Sequence, residues 1–255
     1  MNSINDVKVF GPSILLRKVI GGDANGVVRL NTRIGNLSLR PFDSDMSVLR
    51  QVFVRKDYDL GKLTHTERVL SIYDKIIQSG RTPIIIDAGA NIGAASIWFS
   101  EMFPEAAIVS VEPDESNAAL CLMNCTNRPN IDVVQAAIGS RSGAVTLKRS
   151  VEDGRSWGVQ TERDNQGSTQ IVTIADLMRK YDHNGTLFLV KIDIEGFEKD
   201  LFQSNTEWLS QTPIIIIELH DWMLPGQRTS GPFQKAIGEH DFELLMSGEN
   251  LIYIR

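Results

Sequence analysis

Two groups of acids near the C-terminal half carry the strongest chemical suggestion in this chain. Asp193 and Glu195 stand two residues apart in Val190-Lys191-Ile192-Asp193-Ile194-Glu195-Gly196. Glu218, His220 and Asp221 cluster at the end of Ile214-Ile215-Ile216-Ile217-Glu218-Leu219-His220-Asp221. Each group closes an apolar run of strand length. An imidazole titrating near neutral pH, oriented by a carboxylate, suits the removal of a proton from a hydroxyl. His220 is therefore the candidate base or substrate hydrogen-bond partner, with Asp193 next and Glu195 beside it. The plainer reading makes Asp193 a helix cap and Glu195 an acid in the first helical turn, where the dipole favours it. The same side chains offer hard oxygen ligands and one nitrogen, so a divalent metal is conceivable. No spacing here is diagnostic of a metal site, and none is predicted.

A second set lies upstream. Thr82-Pro83-Ile84-Ile85-Ile86-Asp87-Ala88-Gly89-Ala90-Asn91-Ile92-Gly93 is an unbroken apolar run, an acid and a turn with two glycines, followed by a helical pattern from Ala94. A strand buried on both faces reads this way, and a glycine turn from it into a helix brings backbone close to a ligand. A dinucleotide would need a glycine where Asn91 stands, and Asp87 would repel its phosphates. Asp87 instead suits an ammonium group. Glu112, ending Ala107-Ile108-Val109-Ser110-Val111-Glu112-Pro113, lies where a carboxylate grips ribose hydroxyls in a doubly wound fold. This combination describes S-adenosyl-L-methionine better than a nicotinamide cofactor. An ordinary strand–helix turn followed by a surface Glu is the bland alternative. Ligands of open α/β sheets sit beyond the carboxyl ends of the strands, which adds Pro113, Gln135 and Ala136 to the expected crevice.

The elements that must hold these groups follow from periodicity. Apolar runs at 84–86, 107–112, 131–136, 187–193 and 214–220 alternate with helical stretches, which argues for βαβ units and a parallel sheet. Phe242–Met246 and Leu251–Arg255 flank a short turn, so that pair is antiparallel. A helix is expected over 66–79, ended by Gly80. Upstream, Val27–Ile34 and Leu37–Arg40 around Gly35-Asn36 read as a hairpin, and Asp45 as the cap of a helix over 46–53. Residues 1–65 are thus expected as a small β-rich lobe, and 66–255 as the main α/β domain. The polar segment Arg149–Ser168, with Trp157 at its centre, is expected as a binding loop or lid. His183 and His240 read as surface residues, and His65 as a residue that closes over the cofactor.

At 255 residues, with 42% hydrophobic and 23% charged residues, the chain has the composition of an ordinary globular protein. A formal net charge of −6 and the lack of a Lys/Arg cluster argue against a nucleic-acid partner. No signal peptide or membrane-length apolar run is evident, and Cys121 and Cys125, one helical turn apart, read as buried small hydrophobes. A reduced, cytoplasmic enzyme is the expectation.

The motifs Asp87-Ala88-Gly89-Ala90-Asn91-Ile92-Gly93, Val111-Glu112-Pro113, Lys191-Ile192-Asp193-Ile194-Glu195-Gly196 and Glu218-Leu219-His220 resemble, in this order, those of the FkbM-type methyltransferases. The stretch Phe53–Leu60 with Tyr58-Asp59 is similar to that family's approach to its core, and the likeness covers roughly residues 40–255. It implies an α/β class I methyltransferase fold, Rossmann-like, with a mostly parallel seven-stranded sheet and an antiparallel C-terminal hairpin. It further implies S-adenosylmethionine-dependent O-methylation of a hydroxyl on a sugar, glycan or natural product. On that pattern Asp87, Gly89, Asn91, Gly93 and Glu112 hold the cofactor, while Asp193, Glu195 and His220 lie at the substrate end. Gln135 or a backbone carbonyl takes the place of the acid that many class I enzymes offer the adenine amino group. A protein methyltransferase and a non-catalytic S-adenosylmethionine-binding protein are the alternatives.

Overall fold

The structure is a computed structural model describing residues 2–24, 26–149, 159–181 and 184–255. Its strands are β1 (Val28–Thr32), β2 (Gly35–Leu39), β3 (Thr82–Ala88), β4 (Ala107–Glu112), β5 (Ile131–Gln135), β6 (Ala137–Ile138), β7 (Gly143–Arg149), β8 (Val159–Arg163), β9 (Thr169–Val172), β10 (Gly185–Ile192), β11 (Ile214–Ile217), β12 (Glu243–Ser247) and β13 (Asn250–Ile254). The α-helices are α1 (Asn2–Phe10), α2 (Asp45–Leu49), α3 (Thr66–Gln78), α4 (Ala94–Met102), α5 (Glu115–Cys125), α6 (Ile174–Arg179), α7 (Glu198–Leu201) and α8 (Gly231–Ile237).

Seven strands form the main sheet in the order β12-β13-β11-β10-β3-β4-β5. β11, β10, β3, β4 and β5 run parallel, and β13 is antiparallel to both β11 and β12. This is the class I methyltransferase arrangement, with a reversed strand inserted next to one edge. The unbroken apolar strands are explained by burial on both faces. Ile85 packs on one face with Phe99, Phe103 and Phe188, and Ile84 and Ile86 pack on the other with Val109, Val111 and Val190. The order of β4, β3 and β10 makes their C-terminal ends adjacent, so Glu112, Gly89 and Asp193 meet at one rim.

The first sixty residues differ from the expected β-rich lobe. The β1–β2 hairpin forms as predicted, but α1, a 3-10 turn over Pro12–Lys18, α2 and a π-helical turn over Arg50–Arg55 make the rest of the segment helical. Phe10, Ile14, Leu39, Leu49, Phe53 and Tyr58 join the same apolar cluster as Ile85, Phe99 and Ile108, so these helices exist to cover one sheet face. Asp45 does not cap α2 with its side chain. It is buried and takes hydrogen bonds from the Arg40 backbone N–H at 2.6 Å and from the Arg40 guanidinium at 2.7 Å. Arg40 also donates to Asn117 Oδ1 at 2.7 Å, and Asn124 donates to the carbonyls of Ser38 and Ile92. The hairpin is thereby tied to α5 and to the glycine turn.

The described part of the polar segment is partly strand where a loop was expected. Residues 159–163 are strand β8 and residues 169–172 strand β9, in a second sheet of order β6-β9-β7-β8. Its polarity is that of an edge strand: among the described residues β8 pairs with β7 alone. Trp157 and the rest of 150–158 lie outside the described residues, as does His183. None of the helices among the described residues is long and apolar enough to cross a membrane.

Candidate active site

A crevice opens over the C-terminal ends of β3, β4 and β10. It is lined by Gly89, Asn91, Val111, Glu112, Pro113 and Asn117, by Ala137, Ile138 and Thr161 of the second sheet, and by Asp193, Ile194, Glu195 and Phe197. Six of the residues expected from sequence thus share one concavity: Gly89, Asn91, Glu112, Pro113, Asp193 and Glu195.

Glu112 anchors one end. One carboxylate oxygen accepts the Asn91 backbone N–H at 2.8 Å, and the other accepts that of Asp114 at 3.0 Å. Burial raises its pKa to about 7 against these bonds, which pull it down. A buried carboxylate held by amides at a strand end is built to receive further donors such as vicinal hydroxyls. Asn91 is in the left-handed region at φ 50°, and its Oδ1 is buried without a hydrogen-bond partner. That orphan acceptor, beside Glu112, fits a ligand rich in hydroxyl and amino donors, as S-adenosylmethionine is.

Other expected cofactor residues lie outside this lining. Asp87 is fully buried beneath the turn. Its Oδ2 accepts from the Ser96 hydroxyl at 2.6 Å, and its Oδ1 lies 3.1 Å from the Lys191 ammonium. Gly93, in the left-handed region, begins α4; a Cβ there would lie 2.9 Å from Cys121 Sγ. Both cysteines are free and buried, as expected. Gln135 is exposed and Ala136 is buried in the core, while the following residues, Ala137 and Ile138, face the crevice. The chain bends between β5 and β6, which shifts the lining by one or two positions. His65 stands at the other end of the sheet: its ring is 2.6 Å from Glu243, which pairs with Ile254 and, through it, with Ile214 at the start of β11.

At the opposite end of the crevice, His220 is buried to 2% exposure behind Asp193 and Glu195. Its Nδ1 is 2.8 Å from Glu198 Oε1, and its Nε2 is 3.5 Å from Asp193, 3.8 Å from Glu195 and 3.8 Å from Glu218. The carboxylate that orients the ring is therefore Glu198 of α7. Asp221 instead receives the Ser230 backbone N–H at 3.1 Å and the Thr229 hydroxyl at 2.9 Å ahead of α8. Burial alone would lower the pKa of His220. The hydrogen bond and charge of Glu198, with the charges of Asp193 and Glu195, outweigh it and push the imidazolium up to about 9. Burial and the Asp193 charge push Glu195 up to about 8 and Glu218 to about 7. Glu195 reaches this position through a left-handed backbone, φ 53°, followed by Gly196 at φ 95°. Sequence reasoning missed two participants. Glu198 passes for an ordinary first-turn acid, and Lys191 for a single charge in an apolar motif. The apolar run of β10 is the available signal for Lys191, since a lysine inside so apolar a strand needs a buried partner.

Residues 87–246 match the model of the methyltransferase FkbM domain. The chain is 26% identical over 155 residues to "2-O-methyltransferase NoeI" of Sinorhizobium fredii, covering 54% of this chain and 64% of that one. It is 24% identical over 160 residues to "Methyltransferase sdnD" of Sordaria araneosa, covering 49% and 61%. The alignments thus span somewhat less than two thirds of these curated relatives. Among solved structures, methyltransferase FkbM from Methylobacillus flagellatus is similar with a TM-score of 0.46 at 16% identity, over 68% of this chain and 44% of that one. With the family model matching well over half of its length, the chain belongs to the FkbM methyltransferase family.

Proposed function

We propose that this protein binds S-adenosylmethionine in the crevice and methylates a hydroxyl of a sugar, glycan or other small natural product. The observation that carries the reading is the pairing of Glu112 and Asn91 at one end of a single crevice with Asp193 and Glu195 at the other. Glu112 would hold the ribose hydroxyls, and Asn91 Oδ1 would take a donor it now lacks. S-adenosylmethionine, when bound, supplies an electrophilic sulfonium methyl group.

The chain's own task is to present a hydroxyl and accept its proton. Asp193 and Glu195 face the crevice, whereas His220 is sealed behind them, so the acids touch the acceptor and His220 is a positioning residue. A carboxylate held near pH 8, as Glu195 is, matches the range in which a general base works best at neutral pH. The name of the relative NoeI supports oxygen as the methylated atom. The test is incubation with labelled S-adenosylmethionine and a panel of sugars, lipid-linked glycans, polyketide alcohols and peptides, read by mass spectrometry. Gain of one methyl group on a hydroxyl supports the reading; methylation confined to peptide nitrogen would replace it.

A further inference from the structure

We propose that Asp193, Glu195 and His220 form a binding site for a hard divalent cation of the manganese or magnesium type, with Glu218 at its edge. One oxygen from each acid and one imidazole nitrogen all lie within 4.8 Å of one another. The distances from His220 Nε2 to the three carboxylates, 3.5, 3.8 and 3.8 Å, are longer than good hydrogen bonds. Ligands around one octahedral ion at roughly 2.1 Å lie about 3.0 Å apart when adjacent and about 4.2 Å when opposite. The three distances from His220 fall between these limits, as expected for a site that contracts slightly onto an ion.

The histidine is the independent sign of a ligand. It is 98% buried, and its Nδ1 is engaged by Glu198 at 2.8 Å, so its Nε2 points into the acids without a hydrogen bond. A metal-binding histidine is held in this way, with its second nitrogen donating to a carboxylate that fixes the tautomer; the ion would take the place of the Nε2 proton, which is released as it binds. Glu198 is itself fully buried and also accepts the Gly196 backbone N–H at 3.2 Å, which locks the turn carrying Glu195. Lys191 stands 3.7 Å from the other oxygen of Asp193, leaving Oδ1 for the ion. Oxygen-dominated ligation with one imidazole favours Mn²⁺ or Mg²⁺ over the thiolate-seeking ions. Bound there, the ion would acidify an acceptor hydroxyl, a role that rests on the proposed methyl transfer; the binding itself does not.

The experiment is Mn²⁺ titration of the full chain without cofactor or acceptor, following the free-ion signal by electron paramagnetic resonance. One ion per chain is expected. Glu198→Gln should weaken it by about 10–100-fold, the range for outer-shell partners, and Asp193→Asn/Glu195→Gln should abolish it, with circular dichroism confirming the fold. A second readout locates the ion. The Trp222 ring lies 6.3 Å from that of His220, so bound Tb³⁺ should luminesce on tryptophan excitation and lose much of that signal in Trp222→Phe. Absence of Mn²⁺ binding, undiminished binding in the double variant, or luminescence unchanged in Trp222→Phe would each overturn the site. Methyl transfer could still stand in any of those cases.

Discussion

Asp87 and Lys191 are register partners on β3 and β10, and their side chains meet 3.1 Å apart with almost no exposure to solvent. Burial alone would lower the pKa of the Lys191 ammonium, but the charges of Asp87 and Asp193 outweigh that and hold it above the usual lysine range. The ammonium also donates to the Gly89 carbonyl at 2.8 Å, so the pair is the pedestal under the glycine turn. Lys191→Met leaves Asp87 as an uncompensated buried charge and should cost about 3–5 kcal/mol, measured by urea unfolding. A loss under about 1 kcal/mol would show that Asp87 is neutralised by other means.

The acid–histidine cluster sets a pH dependence of stability. The pKa of His220 is raised from 6.5 to about 9, so its contribution is fully present below pH 6.5 and lost as pH rises through 9. Glu195 and Glu218 are raised from 4.5 to about 8 and about 7, so the folded chain retains protons that the unfolded chain has released, and stability again falls as pH rises through this window. The melting temperature should therefore decline from about pH 6 to pH 9, and His220→Gln with Glu195→Gln should flatten the decline. A wild-type profile that rises over that interval would contradict the assignment.

How much of this was legible beforehand depended on the kind of signal. β3 and β4 were readable because both faces are buried, which leaves an unbroken apolar run ending in a lone acid at Asp87 or Glu112. Gly89 was read as a place for a ligand to approach, yet a Cβ there would fall 1.7 Å from the Asp193 carbonyl oxygen. The glycine is required first by the crossing of two loops of the chain itself. Glu198 was hidden by its position in a helix's first turn, where acids are common for dipole reasons alone. The second sheet was hidden because β8 is a polar edge strand, and the N-terminal helices because covering a sheet face leaves only a broken apolar pattern. Contacts between distant segments, such as Glu198 with His220, have no trace in local spacing.

Glu195 is the crevice-facing acid with the proton affinity suited to the reaction. Glu195→Gln keeps the shape of the side chain and removes its basicity, so kcat for the identified acceptor should fall by ~10²–10⁴ while cofactor affinity is retained. The measurement is steady-state methyl transfer alongside calorimetric cofactor binding. Equal losses in both would place Glu195 in the cofactor site instead.

Methyl transfer depends on the Glu112–Asn91 end of the crevice holding S-adenosylmethionine. Isothermal titration of S-adenosylhomocysteine into the wild-type chain and into Glu112→Ala tests it most directly, since it needs no acceptor. One site per chain is expected in the wild type. In the variant the expected loss is roughly 1.5–3 kcal/mol for each hydroxyl bond to the charged carboxylate. No heat of binding in the wild type, or the same affinity in both proteins, would contradict it.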